Sequence, residues 1–154
     1  MKTIVVKFGG TSLASADQIR KAVDIIRSDP SRRFVVASAP GKRFGDDIKV
    51  TDLLYACYDQ AAAGGDFSET LAKIEARFAD IIRELGVEFD LAAEIAVLRE
   101  HLASAPNRDY MASRGEYLNS RVIAAFLGYP FVDPAENIFF TEAGALDEDK
   151  TFRT

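Results

Sequence analysis

Apolar residues along the chain follow two rhythms: short β-branched runs that read as strands, and longer stretches recurring roughly every three to four residues that read as helices. Thr3 to Phe8 carries Ile4, Val5 and Val6 and stops at Gly9-Gly10, so it reads as a buried strand. Ser15 with Gln18 three residues on forms a capping-box start. Ile19, Ala22, Val23 and Ile26 then fall on one helical face until Asp29-Pro30 ends it. Phe34 to Ala39 is a second short apolar run, and the order strand, helix, strand predicts a parallel pair joined by a crossover helix.

Pro40 to Lys49 mixes glycine with charge and reads as a mobile loop, after which Thr51 is placed to cap a helix bearing Leu53, Leu54 and Cys57. Ala61 to Gly65 closes that helix. Two strongly amphipathic helices follow, the first presenting Leu71, Ile74, Phe78, Ile81, Ile82 and Leu85 before Gly86, the second Leu91, Ile95, Leu98 and Leu102. Beyond Pro106-Asn107 a further helix is predicted over about 110–127, with Leu118, Val122, Ile123 and Phe126 on its apolar face and Gly128 at its end. Tyr129 to Val132 and Ile138 to Thr141 are strand candidates. The tail after Ala143 is polar, acidic and without a predicted closing element, so it reads as cut rather than finished.

Composition narrows this picture. At 154 residues, 48% hydrophobic and 28% charged, the chain has apolar side chains for one sizeable core and lies far from the disordered class. A formal net charge of -5 and the lack of a basic stripe argue against nucleic acid as a main partner. Cys57 is the only cysteine, which precludes an internal disulfide and fits a reducing cytoplasm. The apolar run in Met1 to Phe8 is too short for a secretory leader or a membrane span.

Candidate chemistry concentrates in Lys7-Phe8-Gly9-Gly10-Thr11-Ser12. A lysine ends a strand, two glycines let the backbone approach a ligand, and hydroxyls precede a helix whose N-terminus favours anions. The order is not that of a Walker A loop, whose lysine follows its glycines. On the residues alone, a tight turn beside a solvated lysine is an equal reading. Elsewhere, His101 lacks a Cys or His partner and reads as a surface residue, and Cys57 as a packing residue. Lys42 and Arg43, in a glycine-bearing loop with Asp46 and Asp47, read as solvated charges rather than a phosphate clamp, with closure of that loop over a substrate as a further alternative. Glu116 near the start of its helix is ordinarily a dipole partner, but the adjacent Gly115 costs about 1 kcal/mol relative to Ala and calls for a reason such as the close approach of a ligand.

The string from Lys7 to Ser12 resembles the first strand and loop of the amino-acid kinase superfamily, in the wording of its aspartate kinases. Val35 to Gly41 followed by Thr51-Asp52-Leu53-Leu54 is similar to that family's second strand and substrate-facing helix start, and Ser113-Arg114-Gly115-Glu116 resembles its SxGE motif. The resemblance spans nearly the whole chain. It implies an α/β fold, a three-layer parallel-sheet sandwich of which 1–154 is the amino-terminal, substrate-side portion, with a helical excursion after the second strand and without the nucleotide-side half or ACT domains.

It also implies transfer of the γ-phosphoryl of ATP to the side-chain carboxylate of L-aspartate, the first step towards lysine, threonine and methionine. Lys7 is then the catalytic charge on the transferring phosphoryl, and Lys7, Phe8, Gly9, Gly10 and Ser12 hold the nucleotide phosphates. Ser38, Thr51 and Glu116 line the aspartate pocket, with Glu116 on the ammonium group; Mg²⁺ arrives with ATP, and no separate metal site is expected. Because the carboxylate is already ionised, the reaction needs no general base. The chain alone is expected to bind ATP weakly and to turn over little. The competing expectation is a non-catalytic substrate-lobe fragment that self-associates through exposed apolar surface, making a homo-oligomer.

Overall fold

The computed structural model describes residues 2–153. Strands β1 (Ile4–Phe8) and β2 (Arg32–Ala37) pair in parallel, with Val5 opposite Phe34, Val6 opposite Val35, Lys7 opposite Val36 and Phe8 opposite Ala37. The crossover between them is α1 (Ala16–Arg27), and its start is the predicted one, because the Ser15 hydroxyl accepts the Gln18 amide at 3.4 Å. After β2 the chain makes α2 (Val50–Ala62), α3 (Ser68–Leu85), α4 (Leu91–Ser104) and α5 (Arg108–Leu127), the predicted helical excursion. Gly86 and Gly128 end α3 and α5 at φ 68° and 74°, left-handed geometry that glycine adopts without strain.

Two apolar cores share α3 and α5. One packs Val50, Leu54 and Cys57 of α2 against Leu71, Ile74 and Phe78 of α3, Leu98 of α4, and Met111 and Leu118 of α5. The other sets Leu13, Ile19 and Val23 against Ile81 and Leu85 of α3, Val122 and Ile123 of α5, and Ala37 of β2. The first halves of α3 and α5 therefore build a helical bundle, and their second halves join α1 in the core beside the sheet.

Helices pack on only one sheet face, so β1 is half-buried rather than the buried strand expected. The pleat sends Val6 and Phe8 inward and Val5 and Lys7 outward. On the outer face Val5 is 64% exposed and Phe34 60%.

Other expectations are also corrected. Lys49, not Thr51, occupies the N-cap of α2, because the chain is still extended at Lys49 and turns helical at Val50. Neither 129–132 nor 138–141 forms a strand among the described residues, since no neighbouring strand offers them a ladder. Pro134–Glu136 makes a 3-10 turn, and a tight turn at Gly144 leaves only an antiparallel bridge between Phe140 and Leu146. The tail does hold a short closing helix, α6 (Glu148–Phe152), capped where the Asp147 side chain accepts the Lys150 amide.

Candidate functional site

At the carboxyl ends of β1 and β2, two glycine-bearing loops lock together. The Gly41 amide donates to the Gly10 carbonyl at 2.9 Å. A Cβ on Gly41 would stand 2.6 Å from the Gly10 carbonyl carbon, and one on Gly10 would stand 2.9 Å from the Ala39 carbonyl oxygen. Backbone-to-backbone contact accordingly requires both glycines. Gly9 differs, since nothing lies within 4 Å of where its Cβ would stand, which leaves open space over the loop for a ligand.

At this junction lies a cavity of about 220 Å³ lined by Gly10, Ala39, Pro40 and Gly41 and by Thr11, Ser38, Lys49, Thr51 and Glu116. Four separate elements supply the polar side chains: Thr11 lies in the 3-10 turn Gly10–Leu13, Ser38 follows β2, Lys49 and Thr51 flank the start of α2, and Glu116 stands in the third turn of α5. A carboxylate, an ammonium and three hydroxyls thus face one small space. The start of α2 carries no side-chain cap, and the Val50 amide is taken by the Pro40 carbonyl at 3.2 Å, which leaves the Thr51 and Asp52 amides as donors at that end. Asn119, fully buried one turn beyond Glu116, donates to the Ser38 carbonyl at 2.8 Å and fixes that wall. Among the described residues its Oδ1 has no hydrogen-bond partner.

Ser38, Thr51 and Glu116, predicted as one site, are therefore brought together, as is Gly10. Lys7, Phe8, Gly9 and Ser12 lie outside the cavity lining. Lys7 is exposed on the uncovered sheet face, whereas the Phe8 side chain packs against the inner core. The glycine loop reaches its helix where the Ser15 cap predicted, several residues on. A 3-10 turn, Gly10–Leu13, intervenes, and α1 starts only after Ser15, so the helix N-terminus is set back from the glycines. The amides of Gly10 and Thr11 open that turn and have no acceptor within it. Ser12 spends its amide on the Gly9 carbonyl, at 3.1 Å.

Gly115 has a different reason from the one expected. A Cβ there would stand 2.7 Å from the Ala39 Cβ and 3.3 Å from Leu54 Cδ1, so the residue lets α5 pack against α2 and the end of β2. The glycine serves helix packing, and through it the placing of Glu116. His101 accepts the Asn107 amide at 3.0 Å and stacks its ring 4.1 Å from Tyr110, which ties the connection between α4 and α5.

Among the charges of 42–47, Lys42, Arg43 and Asp46 are exposed, but Asp47 is not. Asp47 is buried and takes the Arg43 side chain at 2.7 and 2.9 Å and the Arg43 amide at 2.9 Å. These Arg43 hydrogen bonds, with the Arg77 charge alongside, hold the Asp47 carboxyl well below the usual carboxylate range. The segment is pinned rather than mobile.

Sequence reasoning missed Lys49, Arg77 and Asn119. Nothing in the pattern separates Lys49 from Lys42. Arg77, however, falls between Ile74 and Ile81 on the apolar stripe of α3, and a charge on such a stripe signals a buried pair.

A second, larger cleft of about 800 Å³ runs between β2, α5 and residues 129–135, lined among others by Phe34, Val36, Tyr117, Phe131 and Pro134. It is mostly apolar, and Glu116 touches both spaces. The smaller cavity is the candidate for chemistry, because there a carboxylate, an ammonium and three hydroxyls share a small space beside the glycine loop, whereas the larger cleft is mostly apolar although Arg33, Arg114 and Asp133 also line it.

Comparison with known proteins identifies relatives of the chain. The profile of the Amino acid kinase family matches residues 2–149. Aspartokinase 3 of Bacillus subtilis is 41% identical over 146 residues, covering 91% of this chain and 32% of that protein. The crystal structure of Clostridium acetobutylicum aspartate kinase superposes with a TM-score of 0.95 at 40% identity, covering 99% of this chain and 35% of that one. Escherichia coli aspartokinase III, solved with aspartate and ADP, gives a TM-score of 0.75 at 25% identity, covering 97% of this chain and 36% of the other. The chain spans about a third of the length of these relatives. With its parallel sheet, its interlocked glycine loops and a match over nearly its full length, the chain belongs to the amino acid kinase family, and the relatives it resembles here are aspartokinases.

Proposed function

We propose that this chain is the substrate-side, amino-terminal portion of an aspartate kinase, which phosphorylates the side-chain carboxylate of L-aspartate with ATP. The observation that carries the reading is the convergence of Glu116, Lys49, Ser38 and Thr51 on one cavity next to the glycine loop. An amino acid with a second carboxylate matches that set: Glu116 takes the ammonium group, and Lys49, Thr51 and the α2 amides take carboxylate oxygens.

In this reading the open space over Gly9 and the amides of Gly10 and Thr11 receive phosphate oxygens, together with the Ser12 hydroxyl. Lys7, at the end of β1, neutralises charge on the phosphoryl group in transit. An aspartate carboxylate oxygen attacks the γ-phosphorus, the bond to the bridging oxygen breaks, and its electron pair leaves on ADP. Because the nucleophile is already an anion, no side chain has to remove a proton. Mg²⁺, carried in on the nucleotide, would offset phosphate charge, and among the described residues no group of three His, Cys, Asp or Glu converges to hold it independently. The acyl phosphate product suits a first step towards lysine, threonine and methionine. The buried, unpaired Cys57 suits a cytoplasmic protein.

The chain covers about a third of its relatives' length, so binding is the first test and turnover the second. Calorimetric titration with L-aspartate is expected to give saturable binding that Glu116→Gln weakens, with D-aspartate and succinate binding less well. Absence of saturable binding would overturn the reading. In the full-length protein, Lys7→Ala is expected to lower kcat, read as acyl phosphate trapped with hydroxylamine.

One observation favours a second reading, a non-catalytic fragment that self-associates: Val5, Phe34 and Val36 form an uncovered apolar face on the sheet. Sedimentation across a concentration series distinguishes it, with a dimer and no L-aspartate binding as its signature.

A further inference from the structure

Arg77 is a buried cation outside the cavity lining that none of the chemistry above uses. Its guanidinium spreads over four acceptors from two segments. Nη1 donates to Asp47 Oδ2 at 3.1 Å and the Ile48 carbonyl at 3.0 Å, and Nη2 to the Gly41 carbonyl at 2.8 Å and the Ala14 carbonyl at 3.3 Å. Only 6% of the side chain is exposed. It stands on α3 between Phe78, which packs in the bundle core, and Ile74 and Ile81, which fall one in each core, so the charge lies at the seam where the two cores meet.

Burying a charge there is costly, and an apolar residue would continue the stripe on α3 at no such cost. What the guanidinium supplies instead is geometry. The Ala14 carbonyl closes the turn that begins at Gly10, and the Gly41 carbonyl belongs to the residue whose amide grips Gly10. Asp47 and Ile48 lead directly into Lys49 and Thr51, which line the cavity. A planar fork of fixed donors can hold all four oxygens at once, whereas a single ammonium cannot span them.

We propose that Arg77 is a positioning residue for the substrate cavity, setting the Gly10–Gly41 junction and the approach of 47–49 to it from behind. Through these contacts it decides where the Gly41 wall, Lys49 and Thr51 stand relative to Glu116. Its consequence for L-aspartate rests on the functional reading above; its hold on the two loops does not.

Hydrogen exchange on the chain with Arg77→Met and Arg77→Lys tests both parts. The reporters are the amides of Gly41, Arg43, Asp47 and Val50, which donate to the Gly10 carbonyl, Asp47 Oδ2, the Phe44 carbonyl and the Pro40 carbonyl. Arg77→Met is expected to speed their exchange about tenfold or more while α4 amides change by less than about twofold. Arg77→Lys, which keeps the charge but not the fork, is expected to fall between, and it carries the measurement if the methionine variant does not fold. The dissociation constant for L-aspartate, titrated on the same samples, is expected to rise in the same order. A purely structural residue would instead speed exchange equally in α4, or lower thermal stability with the dissociation constant unchanged, and either result overturns the proposal. If the unsubstituted chain binds no L-aspartate, the functional reading fails, and the exchange ranking alone upholds or rejects the role of Arg77 at the junction.

Discussion

Gly115 on α5 and Ala39 beyond β2 touch so closely that a methyl on Gly115 would sit 2.7 Å from the Ala39 Cβ. Helix propensity alone says Gly115→Ala should stabilise α5 by about 1 kcal/mol. The contact says the opposite, because overpacking a tight site costs about 1–3 kcal/mol. We expect Gly115→Ala to lower the urea midpoint, and Ala39→Gly to recover part of that loss in the double variant. Additive effects of the two substitutions would show that they do not share a contact.

Glu116 is solvent-exposed at the cavity and carries no part of either core, so its removal should separate binding from folding. Glu116→Gln is expected to leave thermal stability within about 0.5 kcal/mol. The loss of a charge-assisted hydrogen bond to an ammonium group should weaken L-aspartate about 10- to 100-fold, read by calorimetry.

Asp47 gives the chain a specific acid sensitivity. Hydrogen bonds from Arg43 keep its carboxyl ionised in the folded state well below the pH at which the unfolded chain, with a value of about 3.9, takes up a proton. A depressed native value contributes stability that is full above the unfolded value and is lost as pH falls towards the native one. The stability gap between the parent chain and Asp47→Asn should therefore be constant from pH 7 to about 5 and narrow below about 4. Urea melts at half-unit pH steps check this, and a gap independent of pH would contradict it.

Cys57 is wholly enclosed by the bundle core, and burial pushes its thiol up to about 11. Since the thiolate is the reactive species, native protein at pH 8 should react with a disulfide reagent at least about a hundredfold more slowly than the unfolded chain. Reaction at the unfolded rate without denaturant would mean that the bundle opens locally.

Phe34, 60% exposed beside Val5 and Val36, tests the open sheet face. If that face drives self-association, Phe34→Lys should shift the sedimentation profile from dimer to monomer while leaving helical circular dichroism unchanged.

The helices were the most legible part of the sequence. Each carries a long run at helical spacing, and the stops at Gly86 and Gly128 rest on a backbone conformation that glycine alone adopts freely. The strands were less legible, because pairing depends on a neighbour. Residues 129–132 have strand-like side chains and no ladder, while β1 reads as buried by composition although no helix covers its outer face. Among the site residues, Ser38, Thr51 and Glu116 were legible through resemblance to a family, not through spacing, since 78 positions separate the first from the last.

By itself the sequence determined the helical periods, the Ser15 cap, the glycine stops and the identity of the groups available for chemistry, all of which depend on near neighbours in the chain. Only the tertiary structure decided that Gly41 must be glycine because Gly10 lies against it, that Gly115 serves packing, and that Asp47 is a buried partner of Arg77 rather than a solvated charge. It also decided that Lys49 joins Glu116 at one cavity. The physical reason is range. Propensity and capping act over a few residues, whereas close approach, desolvation and charge pairing depend on which distant segments the two cores bring into contact.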